Sequence, residues 1–244
     1  MPNVLLKIQY DGTQYHGWQV QKNAITVQEV FQDALGTFFG QRPDVKGCSR
    51  TDSGVHALEY AVSSVLPRFD GEYNLLSALN NILPPDIRVT SAEVVDDGFH
   101  ARYDSKGKEY IYTIYNNRVS NPFIDRYSYL YKQKIDEKLL DAAAKHFIGT
   151  FDFGGFCNIK CDIEDTVRTV YDFSVKRKGN IVTFTVSADG FLYNMVRIMV
   201  GTLLAVNSGR IREEDLDEVI LSKDRKRAGQ TVPAKGLILN RVFY

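Results

Sequence analysis

The chain has 244 residues, of which 44% are hydrophobic, 25% charged and 12% aromatic, and its 30 Lys and Arg balance 30 Asp and Glu. So much apolar and aromatic material repays the entropy of ordering and excludes a disordered chain. The missing basic excess, taken alone, speaks against a nucleic-acid partner.

Residues 4–10 alternate as a strand, and Thr26 with Glu29 forms a capping box that opens a helix. Val27, Val30, Phe31, Ala34, Leu35 and Phe38 give that helix one apolar face. Strand-like runs follow at residues 44–47 and 57–66, then a helix over 73–82 that Pro84-Pro85 stops. Residues 87–95 read as the next strand. The order then repeats: a strand at 109–115, a helix from Asp136 that stops at Gly149, and a hairpin of 167–176 with 181–188 turned at 178–180. An apolar helix runs from Phe191 to Ser208, an acidic-faced helix from Arg212 to Leu221, and a last strand over 237–243.

Each half therefore reads strand, helix, strand, strand, helix, strand, the split βαβ or ferredoxin-like order. The expected fold is α+β: two such halves, 1–104 and 105–244, with antiparallel sheets joined across a central active-site cleft. The apolar run at 191–208 is short for a bilayer and carries Arg197, so it reads as a buried helix, not a membrane span. Met1-Pro2-Asn3 lacks the basic start and apolar core of a signal peptide, which makes a cytoplasmic setting the default. Cys48, Cys157 and Cys161 are odd in number at no framework spacing, so neither a disulfide scaffold nor a zinc set is expected.

Phosphate-binding, dinucleotide, zinc-helix and serine-elbow signatures are all missing. The densest polar cluster is Cys48-Ser49-Arg50-Thr51-Asp52-Ser53-Gly54-Val55-His56-Ala57. Asp52 there reads either as a turn carboxylate or as an ionised nucleophile or base between Arg50 and His56. Arg197 is a lone guanidinium on an apolar helix that offers no partner of its own. It calls for a carboxylate from elsewhere, as a structural ion pair or as the holder of a catalytic Asp. Tyr110 and Tyr112 share one strand face, which reads as sheet packing or as a surface for stacking an unpaired base. Residues 10–19, a turn-rich aromatic loop, read as a ligand grip or as a cover on the sheet edge.

At these residues the chain resembles the bacterial tRNA pseudouridine synthase A (TruA) family from end to end. Arg50-Thr51-Asp52-Ser53-Gly54-Val55-His56-Ala57 matches the family's catalytic motif, and Tyr10 to Thr13 with Tyr15 to Gln19 matches its N-terminal loop. Phe99 to Arg102, Lys108-Glu109-Tyr110, Phe191 with Asn194 to Arg197, and Gly229, Pro233-Ala234 and Gly236-Leu237 complete the pattern. Val232 and Phe151 depart from what the family more often carries, outside the catalytic set. The resemblance implies isomerisation of uridine to pseudouridine at positions 38 to 40 of the tRNA anticodon stem-loop, by a homodimer and without cofactor or metal. It implies Asp52 as nucleophile or base, Arg197 as the group that orients it, and Arg50 as an aid to base flipping. Tyr110, Leu237, His56 and Arg102 are implied as substrate-binding residues. A silent RNA-binding module would keep the fold without this motif. A glycoside-cleaving enzyme calls for a second, opposed carboxylate.

The zero net charge is a sum of unlike regions: residues 1–122 carry 11 Lys and Arg against 14 Asp and Glu, residues 123–244 carry 19 against 16. A tRNA partner is therefore expected to meet local basic surface.

Overall fold

A computed structural model describes residues 1–158 and 165–244. The chain divides into two compact units, Met1–Lys106 with Ile238–Tyr244, and Gly107–Leu237.

In the first unit, β1 (Asn3–Tyr10) lies between β3 (His56–Val65) and β4 (Ile87–Val95), antiparallel to both. The short β2 (Lys46–Gly47) pairs antiparallel with the far edge of β3. The resulting order, β4-β1-β3-β2, is that of the split βαβ arrangement, which requires a helix in each crossover. Those helices are α1 (Val27–Phe39) and α2 (Glu72–Ile82). Thr26 caps α1 by accepting from the Glu29 N–H at 3.4 Å, and Val27, Phe31, Ala34 and Leu35 form its buried stripe. Asn80 ties α2 to β4 in both directions, donating to Val89 O at 2.9 Å and accepting from its N–H at 2.8 Å.

In the second unit, β5 (Gly107–Asn116) and β8 (Val167–Lys178) flank β9 (Ile181–Ala188), antiparallel to it. β7 (Gly149–Asp152) extends β8, and β6 (Tyr129–Tyr131) runs parallel to β5. Strand β9 alternates strictly, burying Val182, Phe184, Val186 and Ala188. The helices are α3 (Glu137–Ala144), α4 (Met195–Asn207) and α5 (Leu216–Leu221). Asp136 caps α3 by accepting from the N–H groups of Lys138 and Leu139, each at 3.1 Å.

Four features differ from expectation. The last strand, β10 (Leu237–Phe243), is expected in the second half, but from Ile238 onward it belongs to the first unit. The reason is its parallel pairing with β3, Ile238 opposite His56 and Leu239 opposite Ala57. The apolar helix starts at Met195, not Phe191, because Asn194 takes a left-handed conformation at φ 64°. Strands β6 and β7 are too short to show an alternation in sequence. Cys157 is disulfide-bonded, a bond that the expectation of no disulfide scaffold did not include; Cys48 is buried, and Cys161 lies outside the described residues.

Candidate active site

The Asp52 loop joins β2 to the first residue of β3. The Asp52 carbonyl accepts from the Val55 N–H at 3.1 Å, and Gly54 closes the turn at φ 78°, where a side chain is disfavoured. Residues 10–18 brace it from one side. Trp18 N–H donates to Thr51 O at 3.3 Å and Gly54 N–H to Tyr15 O at 3.2 Å. Ser53 Oγ donates to the same Tyr15 oxygen at 3.3 Å, and the buried Tyr10 hydroxyl shares a 2.9 Å hydrogen bond with Thr51 Oγ1. The two backbones approach so closely that a Cβ on Gly12 would overlap the Val55 carbonyl. Beneath the loop's start, the Trp18 ring stacks on Tyr60 at 4.2 Å, and the Tyr60 hydroxyl donates to Ser49 O. Tyr15 and Trp18 are buried, as a cover on the sheet edge requires.

His56, 3% exposed, sits under this turn. Its Nδ1 accepts from the Gly12 N–H at 3.0 Å and lies 3.1 Å from Asp11 Oδ1. The Gly12 bond is made only while Nδ1 carries no proton. Protonating Nδ1 would make the Asp11 approach an ion pair and break the Gly12 bond. Asp11 is meanwhile occupied with its own turn, accepting from Thr13 N–H at 2.9 Å. The Tyr15 hydroxyl donates to Asp86 Oδ1 at 2.8 Å, and burial first, then that bond, pushes its pKa well above the ordinary phenol range. Arg50 is exposed on the loop. Arg102 is exposed in the turn after Phe99, and its N–H donates to His100 Nδ1 at 3.0 Å.

The other sequence-predicted residues lie in the second unit. Tyr110 and Tyr112 are both buried on β5. The Tyr110 ring meets Phe191 edge-on, with centroids 5.1 Å apart and planes at 85°. The Tyr112 hydroxyl donates to Pro233 O at 2.7 Å. Burial drives its pKa far upward, against a smaller opposing pull from the Arg197 charge. Gly236 lies so close that a Cβ there would come 2.7 Å from the Tyr112 ring, and Leu237, next in sequence, is buried.

Arg197 is in the first turn of α4, not mid-helix. Its Nε donates to Val232 O at 2.8 Å and its Nη1 to Asn194 Oδ1 at 2.6 Å. The expectation that the helix supplies no partner is corrected: the residue preceding α4 supplies one. A guanidinium at a helix N-terminus opposes the macrodipole, and two oxygen acceptors offset that. Sequence reasoning missed Asn194. The available signal was an Asn before an apolar helix, since Asn tolerates the left-handed region better than other non-glycine residues. It also missed the Tyr10–Thr51 bond, for which no sequence signal exists.

The arrangement supplies a backbone-fixed carboxylate on a turn, and, in the second unit, a fixed guanidinium and a buried tyrosine. Among the described residues no group of three or more His, Cys, Asp or Glu could hold a metal ion. No helix among them is long and apolar enough to cross a membrane.

The profile of a family described as tRNA pseudouridine synthase matches residues 7–104 and 143–244. The chain is 45% identical over 248 residues to tRNA pseudouridine synthase A of Acetivibrio thermocellus, covering 100% of both chains. It is 45% identical over 245 residues to the protein of the same name from Clostridium acetobutylicum, again over 100% of both. A solved structure described as a Cbf5-Nop10-Gar1 complex matches 82% of this chain and 53% of that chain at 10% identity and a TM-score of 0.39, too slight a likeness to bear on fold or function.

Proposed function

This chain belongs to the tRNA pseudouridine synthase family and is an isomerase of tRNA uridines, and on that footing we propose that it acts at positions 38 to 40 of the anticodon stem-loop. In the reaction the C1′–N1 bond breaks, the uracil turns, and a C1′–C5 bond forms. One proton leaves C5 and one arrives at N1, so substrate and product are isomers and no oxidant or co-substrate is consumed.

The observation that carries the site assignment is the Asp52 turn, intact in motif and held by backbone contacts from Trp18 and Tyr15. A carboxylate on so constrained a loop is preorganised for attack at C1′ or for taking the proton. Arg197 is the proposed positioning residue for that carboxylate, and Arg50 the residue that helps displace a paired base from the stem. Tyr110 and Leu237 are proposed to line the base site, and Arg102 and His56 to support substrate binding. His56 does so through Gly12, because it is buried and bonded there. The working form is proposed to be a cytoplasmic homodimer that needs no metal or cofactor.

Tritium release from tRNA labelled at uracil C5 tests this reading. Wild-type protein is expected to release label and Asp52→Ala to release none while still binding tRNA. Label release by Asp52→Ala would remove Asp52 from the chemistry.

A further inference from the structure

Residues 105–142 lie outside both segments matched by the family profile, and part of this stretch carries features the proposed chemistry leaves unused. After β5 the chain makes two turns fixed by their own side chains. Asn117 Oδ1 accepts from the Arg118 N–H at 2.7 Å, and its amide donates to the Tyr115 hydroxyl at 2.9 Å. Asn121 Oδ1 accepts from the Phe123 N–H at 3.0 Å, while its carbonyl accepts from Ile124 and Asp125 at 3.1 and 2.9 Å. Buried Ser128 donates to Ile124 O at 2.8 Å, and Lys235 holds the Asp125 carboxylate at 3.0 Å. At the tip of this construction the Phe123 ring is 89% exposed, with Val119 72% exposed nearby in sequence.

Single apolar side chains on a surface are commonplace. Here the surroundings have a definite charge. Arg118, Arg126, Lys132 and Lys134 are exposed in the sequence flanking Phe123, and Asp125, the one acid among residues 117–134, is engaged by Lys235. A contact with a second copy centred on this segment would set like charges against each other. A single-stranded polyanion whose units each carry a flat π face suits it instead, because bases stack on aromatic rings and phosphates pair with flanking cations.

We propose that Phe123 is a stacking platform for an unpaired base of the RNA substrate, with Arg118 and Arg126 taking the flanking phosphates. The proposal rests on the reading of tRNA as substrate and adds a contact outside the Asp52 site. The hydrogen-bonded turn fixes the backbone that carries the ring before RNA arrives, so little backbone freedom is lost on stacking.

The full-length protein and an unmodified tRNA transcript suffice for the test. Trp18 is the chain's one tryptophan and is buried, so Phe123→Trp adds an exposed indole as reporter. The expected results are quenching of that new emission by tRNA, roughly tenfold or greater weakening of tRNA binding in Phe123→Ala, and recovery in Phe123→Tyr. An emission unmoved at saturating tRNA, or wild-type affinity in Phe123→Ala, overturns the proposal. So does a Phe123→Ala protein that loses self-association in RNA-free sedimentation, which would give the ring to a second copy. Tritium release by the wild type, measured in parallel, separates the two readings. Quenching without release sinks the isomerase assignment alone, and release without quenching sinks the platform alone.

Discussion

Gly17 lies against the carbonyl of Thr51 so closely that a Cβ on the glycine would overlap that oxygen, and its own φ of 83° is one that side chains disfavour. The N-terminal segment and the Asp52 loop are thus fitted backbone to backbone, and the carboxylate's position depends on a residue 35 places earlier in the sequence. Gly17→Ala is therefore expected to destabilise the protein by more than about 2 kcal/mol through combined strain and displacement of the loop. Urea denaturation with a parallel activity assay checks this. Wild-type stability in the variant would mean the two backbones separate freely.

Removing the carboxylate without its shape isolates chemistry from folding. Asp52→Asn keeps the side chain's size and loses its charge, and the surrounding turn is made by backbone groups that do not require the charge. Pseudouridine formation is expected to fall below detection, while the urea midpoint and tRNA affinity stay near wild type. Partial activity would point to a supporting electrostatic role in place of nucleophile or base.

The fold was largely legible in the sequence because periodicity reports burial directly. The Val27–Phe38 stripe and the alternation of β9 each mark a face that has to be covered. The Asp52 loop was legible for a different reason, since Arg-Thr-Asp-Ser-Gly combines turn formers with ionisable groups. What stayed hidden was whatever depends on two distant segments meeting. Arg197 shows the lone charge in sequence but not Val232 O, 35 residues on, which takes one of its donors. His56 shows a titratable ring, but only the fold reveals that Gly12 occupies its Nδ1. The placement of β10 likewise follows from pairing with β3, which no local pattern encodes.

Arg197 offers a sharper separation of roles. Its Nε and Nη1 are directed at two different oxygens, a fork that a lysine ammonium does not reproduce. Arg197→Leu is expected to fold with a loss of about 1–3 kcal/mol from the acceptors it abandons, and to lose turnover. Arg197→Lys is expected to recover stability in part and turnover poorly. A purely structural role would make stability and turnover recover together, and single-turnover kinetics beside thermal melts distinguish the cases.

Acid sensitivity of the second unit follows from Asp152. Lys223 at 2.6 Å, then Thr166, then the Gly154 N–H hold its carboxyl below the usual carboxylate range. A group with a depressed folded pKa contributes stability that is complete above its unfolded pKa and is lost as pH falls through the folded value. The melting temperature is thus expected to hold through neutral pH and to decline below about pH 4, with a shallower decline in Asp152→Asn. The exposed Lys223 partner keeps the effect small. Identical pH profiles for the two proteins would show that the pair contributes nothing.

Net charge of zero and a tRNA substrate are reconciled if phosphates meet local cationic surface. Residues 123–244 carry 19 Lys and Arg against 16 Asp and Glu, and several of those acids are already engaged. Asp215 pairs with Arg212 at 2.7 Å and Glu137 with Arg177 at 2.9 Å, so they subtract little from the field felt by RNA beyond their own partners. Each phosphate neutralised by protein releases condensed counterions, so the logarithm of tRNA affinity is expected to fall linearly with the logarithm of salt concentration. Replacing Arg118 and Arg126 together by glutamine should reduce that slope by roughly two. Filter binding across a salt series measures both slopes. An affinity insensitive to salt would mean that recognition proceeds without phosphate contacts, and the balanced charge would then need no local explanation.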